Sequence, residues 1–310
     1  MTGLCSCSGR CYAEGALPIL KLRKSVIADT GMSVTPDEYC QDKAAKSGSS
    51  FYYSFLFLPP ERRRAITALY AFCREVDDVV DECTDTGIAR TKLAWWRQEL
   101  ERLYAGAPQH PVTRALAPAL APFGIKREHL FEIIDGMEMD LSQNRYLDFA
   151  ALEQYCHRVA GVVGLLAASI FGYRDERTLA YAHTLGLAFQ LTNIIRDVGE
   201  DSRKGRIYLP LDELRQFGVS PADILHSRQS ENFVRLMNYQ IERAERYYRD
   251  AFAQLPQSDR KAQRPGLVMA AIYRTLLREI ANDGCKVLNQ RTALTPVRKL
   301  WIAWKTWVTA

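Results

Sequence analysis

Residues 61–82, ERRRAITALYAFCREVDDVVDE, carry apolar side chains at Ala65, Leu69, Phe72 and Val76, the spacing of one helix face. The pattern predicts one long helix over 61–82. Its end is unusual: Asp77, Asp78 and Asp81, then Glu82, crowd the last turns. Asp77 and Asp81 lie four apart, on one face, where like charges weaken a helix by about 0.2–0.5 kcal/mol. The C-terminal end of the helix dipole also disfavours anions. Such a cluster is ordinarily a solvated patch. Here Val76, Val79 and Val80 continue the apolar face through it, so a compensating cation is expected.

Outward from this stretch the helical period recurs. Helices are predicted over 90–105, 110–120, 127–141, 149–171, 175–198, 231–254, 266–290 and 296–308. Ser33-Val-Thr-Pro-Asp-Glu-Tyr39 reads as the start of another. Turn signals such as Pro59-Pro60, Gly106-Ala-Pro108 and Gly172 are short, and no alternating strand pattern or long internal repeat interrupts them. The expected fold is all-α, one domain of roughly ten helices.

Composition narrows the class. Of 310 residues, 47% are apolar and 25% charged, enough for a large core and too apolar for disorder. Forty-one basic against 36 acidic residues give a net charge of +5, too little for the basic stripe of a nucleic-acid binder. Eight cysteines fall short of a secreted disulfide scaffold, and no apolar run is long enough to span a membrane. A reduced cytoplasmic protein is expected. Residues 1–31 differ from the rest, with Cys5, Cys7 and Cys11 in a Gly/Ser-rich stretch lacking a helical period. They lack a matching cysteine pair, a nearby histidine and a signal-peptide pattern. They are expected to be an extension, with Met32 the natural start and 32–310 the catalytic domain.

A second acidic cluster follows at Asn193-Ile-Ile-Arg-Asp-Val-Gly-Glu-Asp201. Asn193, Asp197 and Asp201 recur every four residues, with Gln190 one turn earlier and Leu191, Ile194 and Ile195 toward the core. Two oxygen-rich helix faces suit a hard cation such as Mg²⁺, which keeps few protein ligands and completes its shell with substrate phosphates. Arg74, Arg196, Lys204 and Arg206 flank the clusters. Beside a metal these cations suit a diphosphate, and Gly205 would let backbone approach it.

These residues carry a resemblance. Tyr70–Asp81 (YAFCREVDDVVD), Tyr155–Gly164 (YCHRVAGVVG) and Gln190–Pro210 (QLTNIIRDVGEDSRKGRIYLP) resemble the motifs of the squalene/phytoene synthase family of head-to-head prenyl synthases. The similarity runs from about residue 33 to the end. GSSFYYSFLFLPP at 48–60, LAWWR at 93–97 and LTPVRKLW at 294–301 are most similar to bacterial hopanoid-pathway presqualene diphosphate synthases.

The resemblance implies an isoprenoid-synthase helical bundle around an apolar tunnel. It implies Asp77 and Asp81 as one metal-binding pair and Asn193, Asp197 and Asp201 as the other set, holding two or three Mg²⁺, with Mn²⁺ a substitute. Arg74, Arg196, Lys204 and Arg206 would hold diphosphates. Ser50, Phe51, Phe55, Tyr70, Tyr155, Gln190 and Tyr273 would line the substrate and cation pocket; Tyr70, Tyr155 and Tyr273 count with Arg74 and Arg196 as the catalytic group. The implied reaction joins two farnesyl diphosphates into presqualene diphosphate without NADPH, in squalene or hopanoid biosynthesis, beside downstream enzymes of that pathway. The alternatives are phytoene synthesis from geranylgeranyl diphosphate, complete squalene synthesis with NADPH, and a non-catalytic assembly factor. His157, His183 and the other histidines show no paired arrangement.

The C-terminal segment places Leu300, Trp304 and Trp307 at helical spacing beside Arg298, Lys299 and Lys305. It is expected to touch the inner face of the cytoplasmic membrane through residues 296–310. Residues 284–310 hold five basic residues and no acid, which leaves 32–283 net negative.

Overall fold

The opening stretch forms α2 (Pro60–Glu82), with Pro60 at its first turn, in a computed structural model that describes residues 34–46 and 54–310. Before it lies α1 (Pro36–Lys46); after it come α3 (Thr86–Tyr104), α4 (Pro111–Leu116) and α5 (Arg127–Ser142). The middle of the chain supplies α6 (Phe149–Cys156), α7 (Val162–Phe171) and the long α8 (Arg177–Arg203). Two short helices, α9 (Leu211–Gln216) and α10 (Pro221–Leu225), lead to α11 (Glu231–Gln254), α12 (Arg264–Asn282) and α13 (Pro296–Thr309). Among the described residues there is no strand, only an isolated bridge between Arg145 and Ile207. The all-α expectation is met.

Three boundaries differ from expectation. The predicted 149–171 helix is interrupted by a π-helical turn, His157–Gly161, where helix contacts are tight. A Cβ on Gly161 would lie 2.9 Å from the His183 ring. The predicted 266–290 helix stops at Asn282, because Gly284 and Cys285 take left-handed backbone angles that turn the chain. The short α10 was not foreseen, although Ser220 and Asp223 form a capping box around Pro221.

Two apolar cores share the interior. Leu69, Phe72, Leu93, Leu100, Leu130 and Ile134 build one around α2, α3 and α5. Leu185, Leu191, Phe233, Leu236, Val268 and Leu277 build the other around α8, α11 and α12. Helices α7 and α8 approach closely through missing side chains. A Cβ on Gly164 would sit 2.2 Å from the Ala182 carbonyl, and one on Gly186 2.3 Å from that of Ala160.

Two buried acids hold helices together away from the cavity described below. Glu99, fully buried on α3, accepts from the backbone amides of Gln109 and His110 at 2.7 and 2.8 Å, and from Thr113 and Arg102. Glu213 pairs with Arg243 of α11, and Gln240 donates to it at 2.6 Å. No helix among the described residues is long and apolar enough to cross a membrane.

Candidate active site

A cavity of about 590 Å³ lies on the seam between the two cores. Its walls come from α2, α5, α7, α8 and α12. One end is lined by Asp77, Asp81, Asp140, Asn193, Asp197 and Asp201, and the other by apolar and aromatic side chains. The two acidic faces thus share one chamber, though their motifs are far apart in sequence.

The carboxylates divide into paired and bare. Asp81 receives Lys204 and Arg206, both at 3.0 Å. Asp197 receives Arg196 and, at 2.9 Å, Arg291. Burial pushes both acids up, but the hydrogen bonds and charges of these cations outweigh it and hold both below the usual carboxylate range. Asp77 has Arg74 alone, at 2.6 Å; burial overcomes that pull and, helped by Asp81 and Asp140, raises it to about 6. Asp201 makes no ion pair among the described residues, and burial, with Asp197 adding, raises it to about 7. Asn193 lies between them with its Oδ1 buried and unpartnered.

Arg74 is itself clamped. Its second guanidinium nitrogen reaches Asp78 at 2.5 Å, and Asp78 is held by Lys43 of α1 at 2.8 Å. The compensating cations expected from the sequence are therefore present.

The structure brings most of the expected residues together. Phe55, Tyr70, Arg74, Tyr155, Gln190, Arg196, Lys204, Arg206 and Tyr273 all line the cavity with the metal-binding candidates. Tyr273 stacks obliquely on Phe189, centroids 5.1 Å apart, and Phe55 leans on Phe171 at 6.4 Å. Gly205 takes the left-handed conformation, φ 75°, that turns Lys204 and Arg206 toward Asp81. Ser50, Phe51 and the cysteines of the first 31 residues lie outside the described residues.

Asp140 was missed. Its carboxylate accepts the Tyr155 and Tyr208 hydroxyls at 2.9 and 2.7 Å, and burial raises it to about 6 despite the Tyr208 bond. The signal was present: Ile133, Met137 and Asp140 follow one helix face, so an acid continues an apolar stripe. Arg291 was missed too, and no local pattern could have found a partner 94 residues from Asp197.

The histidine expectation is corrected. His157 Nδ1 and His183 Nε2 lie 2.8 Å apart, and His157 Nε2 is 3.2 Å from Glu132. The pair forms because the π turn brings α6 against α8; it ties those elements together and does not line the cavity.

On α13 the exposed stripe is also rotated from expectation. Trp307 packs on Phe57 at 5.1 Å, while Val297, Trp301, Trp304 and Val308 face outward. The packing of α13 against α12 selects that face.

The residues fit a hard cation. The donors are oxygen only, Asn193 Oδ1 is orphaned and Asp201 lacks a partner. Among the described residues no three His, Cys, Asp or Glu side chains converge on one point. Each ion would therefore take few ligands from the protein and the rest from a bound anion, as Mg²⁺ does with phosphates.

The chain matches the squalene/phytoene synthase family model over residues 44–298. It is 36% identical over 276 residues to the phytoene synthase of Arthrospira platensis, covering 85% of this chain and 89% of that protein. It is 35% identical over 285 residues to the 15-cis-phytoene synthase of a Synechocystis strain, covering 88% and 85%. A dehydrosqualene synthase crystal structure superposes with a TM-score of 0.78 at 28% identity, covering 88% of this chain and 96% of that one. The squalene synthase HpnC from Alicyclobacillus acidocaldarius gives 0.71 at 28%, covering 80% and 94%. Two acidic helix faces over one apolar chamber and this sequence kinship lead to one conclusion: the chain belongs to the squalene/phytoene synthase family of prenyltransferases.

Proposed function

We propose that this chain joins two molecules of geranylgeranyl diphosphate head to head and carries the product to phytoene. The observation that carries the prenyl diphosphate reading is the polarity of the chamber, with cation-paired carboxylates at one end and aromatic and aliphatic walls beyond. The choice of the longer substrate rests on the relatives named phytoene synthase, which favour it over the farnesyl substrate and presqualene diphosphate endpoint expected from the sequence.

Asp77 and Asp81 would hold Mg²⁺ on one side and Asn193, Asp197 and Asp201 on the other. The bound ions supply Lewis-acid stabilisation of the departing diphosphate. Arg74, Arg196, Lys204 and Arg206 rest on carboxylates here, so an arriving diphosphate exchanges one anionic partner for another and the cations remain paired. The C1–O bond of the donor breaks with its electrons leaving on diphosphate. The C2–C3 double bond of the acceptor attacks the allylic cation, and loss of a proton closes a cyclopropane. Departure of the second diphosphate, rearrangement and loss of a second proton give phytoene without a reductant. Phe55, Tyr70, Phe189 and Tyr273 present rings that stabilise passing cations by about 0.5–2 kcal/mol each and keep water out.

Incubation of the full chain with Mg²⁺ and each prenyl diphosphate, with and without NADPH, tests this by product mass. Phytoene from geranylgeranyl diphosphate without NADPH is expected; presqualene diphosphate or squalene from farnesyl diphosphate alone would overturn the choice of substrate.

The outward stripe of α13 supports peripheral contact with an anionic membrane. Trp301 and Trp304 are 59% and 51% exposed and stack at 5.2 Å, and Arg298 and Lys305 lie beside them on the helix. Co-sedimentation with anionic liposomes should be lost in a Trp301→Ser/Trp304→Ser variant; equal binding would sink this assignment.

A further inference from the structure

The chamber has a floor as well as a mouth. Helix α2 enters its lining at Ile66 and leaves at Asp81; α8 enters at Tyr181 and reaches Asp201; α12 enters at Pro265 and reaches Leu276. Helix α7 runs the opposite way and ends at Phe171. The end opposite the carboxylates is therefore built from Phe171, Tyr181 and Gly266. Along α8, Tyr181 stands about 24 Å from Asp197 at 1.5 Å per residue.

Tyr181 is oddly furnished for that place. Its side chain is 1% exposed and its hydroxyl is buried without a hydrogen-bond partner. A phenylalanine would fill the same space without stranding a polar atom. The hydroxyl is accommodated because residue 266 has no side chain: a Cβ there would lie 2.8 Å from the Tyr181 Oη and 3.3 Å from Leu185 Cδ2. Gly266 sits in the first turn of α12 at an ordinary helical position, so its backbone does not demand glycine. The missing side chain lets the tyrosine stand back from the cavity.

We propose that Tyr181, seated against Gly266, is the stop that sets the longest prenyl chain the chamber admits. This rests on the prenyl diphosphate reading above and adds the residue pair that measures chain length. Removing the ring opens the floor. Adding a methyl at 266 pushes the ring inward and raises the floor.

The test uses the full chain, Mg²⁺, and farnesyl, geranylgeranyl and geranylfarnesyl diphosphates offered separately, with kcat/KM and product mass read for each. Tyr181→Ala should raise the geranylfarnesyl-to-geranylgeranyl ratio of kcat/KM by about tenfold or more, the scale set by a few methylenes in an apolar pocket. Gly266→Ala should shift preference toward farnesyl diphosphate by a similar factor. Tyr181→Phe, which keeps the ring, should leave both ratios where they are. If Tyr181→Ala does not fold, Tyr181→Leu carries the same expectation. Ratios unchanged in both the 181 and the 266 variants, in folded proteins that still turn over, overturn the stop and leave the enzyme assignment intact. A wild-type chain that turns over none of the three substrates overturns the enzyme assignment and the stop with it.

Discussion

Two kinds of buried acid coexist in this chain, and they are built oppositely. Glu99 is surrounded: two backbone amides, a hydroxyl and a guanidinium all donate to it. Burial acts against its charge, yet the Thr113 bond and the other donors hold it below the usual range. Asp201 is equally charged in sequence but bare in structure, and burial raises it to about 7. Asn193, one face away on the same helix, leaves its Oδ1 without a partner. A saturated acid fastens helices; an unsaturated one is waiting for a ligand. The difference separates scaffold from site without reference to motifs.

The largest effect should come from breaking the bare set. Asp201→Asn should lower kcat/KM by about 10³-fold, the scale of removing a group that stabilises developing charge. The metal-free variant should nonetheless melt at or above the wild-type temperature, because an unpaired buried carboxylate has gone. A variant with unchanged turnover would place the metal elsewhere. Glu99→Ala is the mirror image. It strands two amides, Thr113 and Arg102, and should cost about 3 kcal/mol in urea unfolding while leaving the substrate KM of the folded fraction unchanged.

How much of this was legible beforehand follows the same division. The helices of the site were readable because Ala65, Leu69, Phe72 and Val76, like Leu191, Ile194 and Ile195, write their period into adjacent residues. The metal-binding candidates were readable because like charges at helical spacing conflict with local helix stability. Glu99 was not, because a single acid in a charged helix such as α3 looks solvated, and its donors come from the following loop. Arg291 and the His157–His183 pair depend on tertiary contacts that leave no local mark. The π turn that makes the histidine pair depends on how closely α6, α7 and α8 pack, which periodicity does not encode.

The two acids should also respond to pH with opposite signs. Asp201 binds its proton more tightly folded, at about 7, than the ordinary 3.8. Its contribution favours the fold below about pH 4 and is lost as pH rises through 7. Glu99 is shifted downward from 4.5, so its contribution is full above that value and is lost as pH falls through its lower folded value. Metal-free Asp201→Asn should therefore lose less stability than wild type between pH 4 and 7, and saturating Mg²⁺ should raise the wild-type melting temperature most at the upper end of that window. Parallel profiles for wild type and Asp201→Asn would remove the distinction.

The smallest effect is the most direct comparison, because it changes one polar group for an apolar one of the same shape in each setting. Thr113→Val removes a hydroxyl that donates to Glu99 and leaves that carboxylate one bond short, at a cost of about 1–2 kcal/mol. Asn193→Leu removes an oxygen that already lacks a partner and an amide whose contact to Gln190, at 3.4 Å, is long. Its cost in the metal-free protein should lie within about 0.5 kcal/mol of zero, since nothing is left newly unpaired. The variant should instead show itself in a Mg²⁺ titration followed by melting temperature, where the half-saturating concentration rises while the apo value stays put. An apo destabilisation as large as that of Thr113→Val would mean that the Asn193 amide holds the helix in place, and would put it among the saturated groups with Glu99.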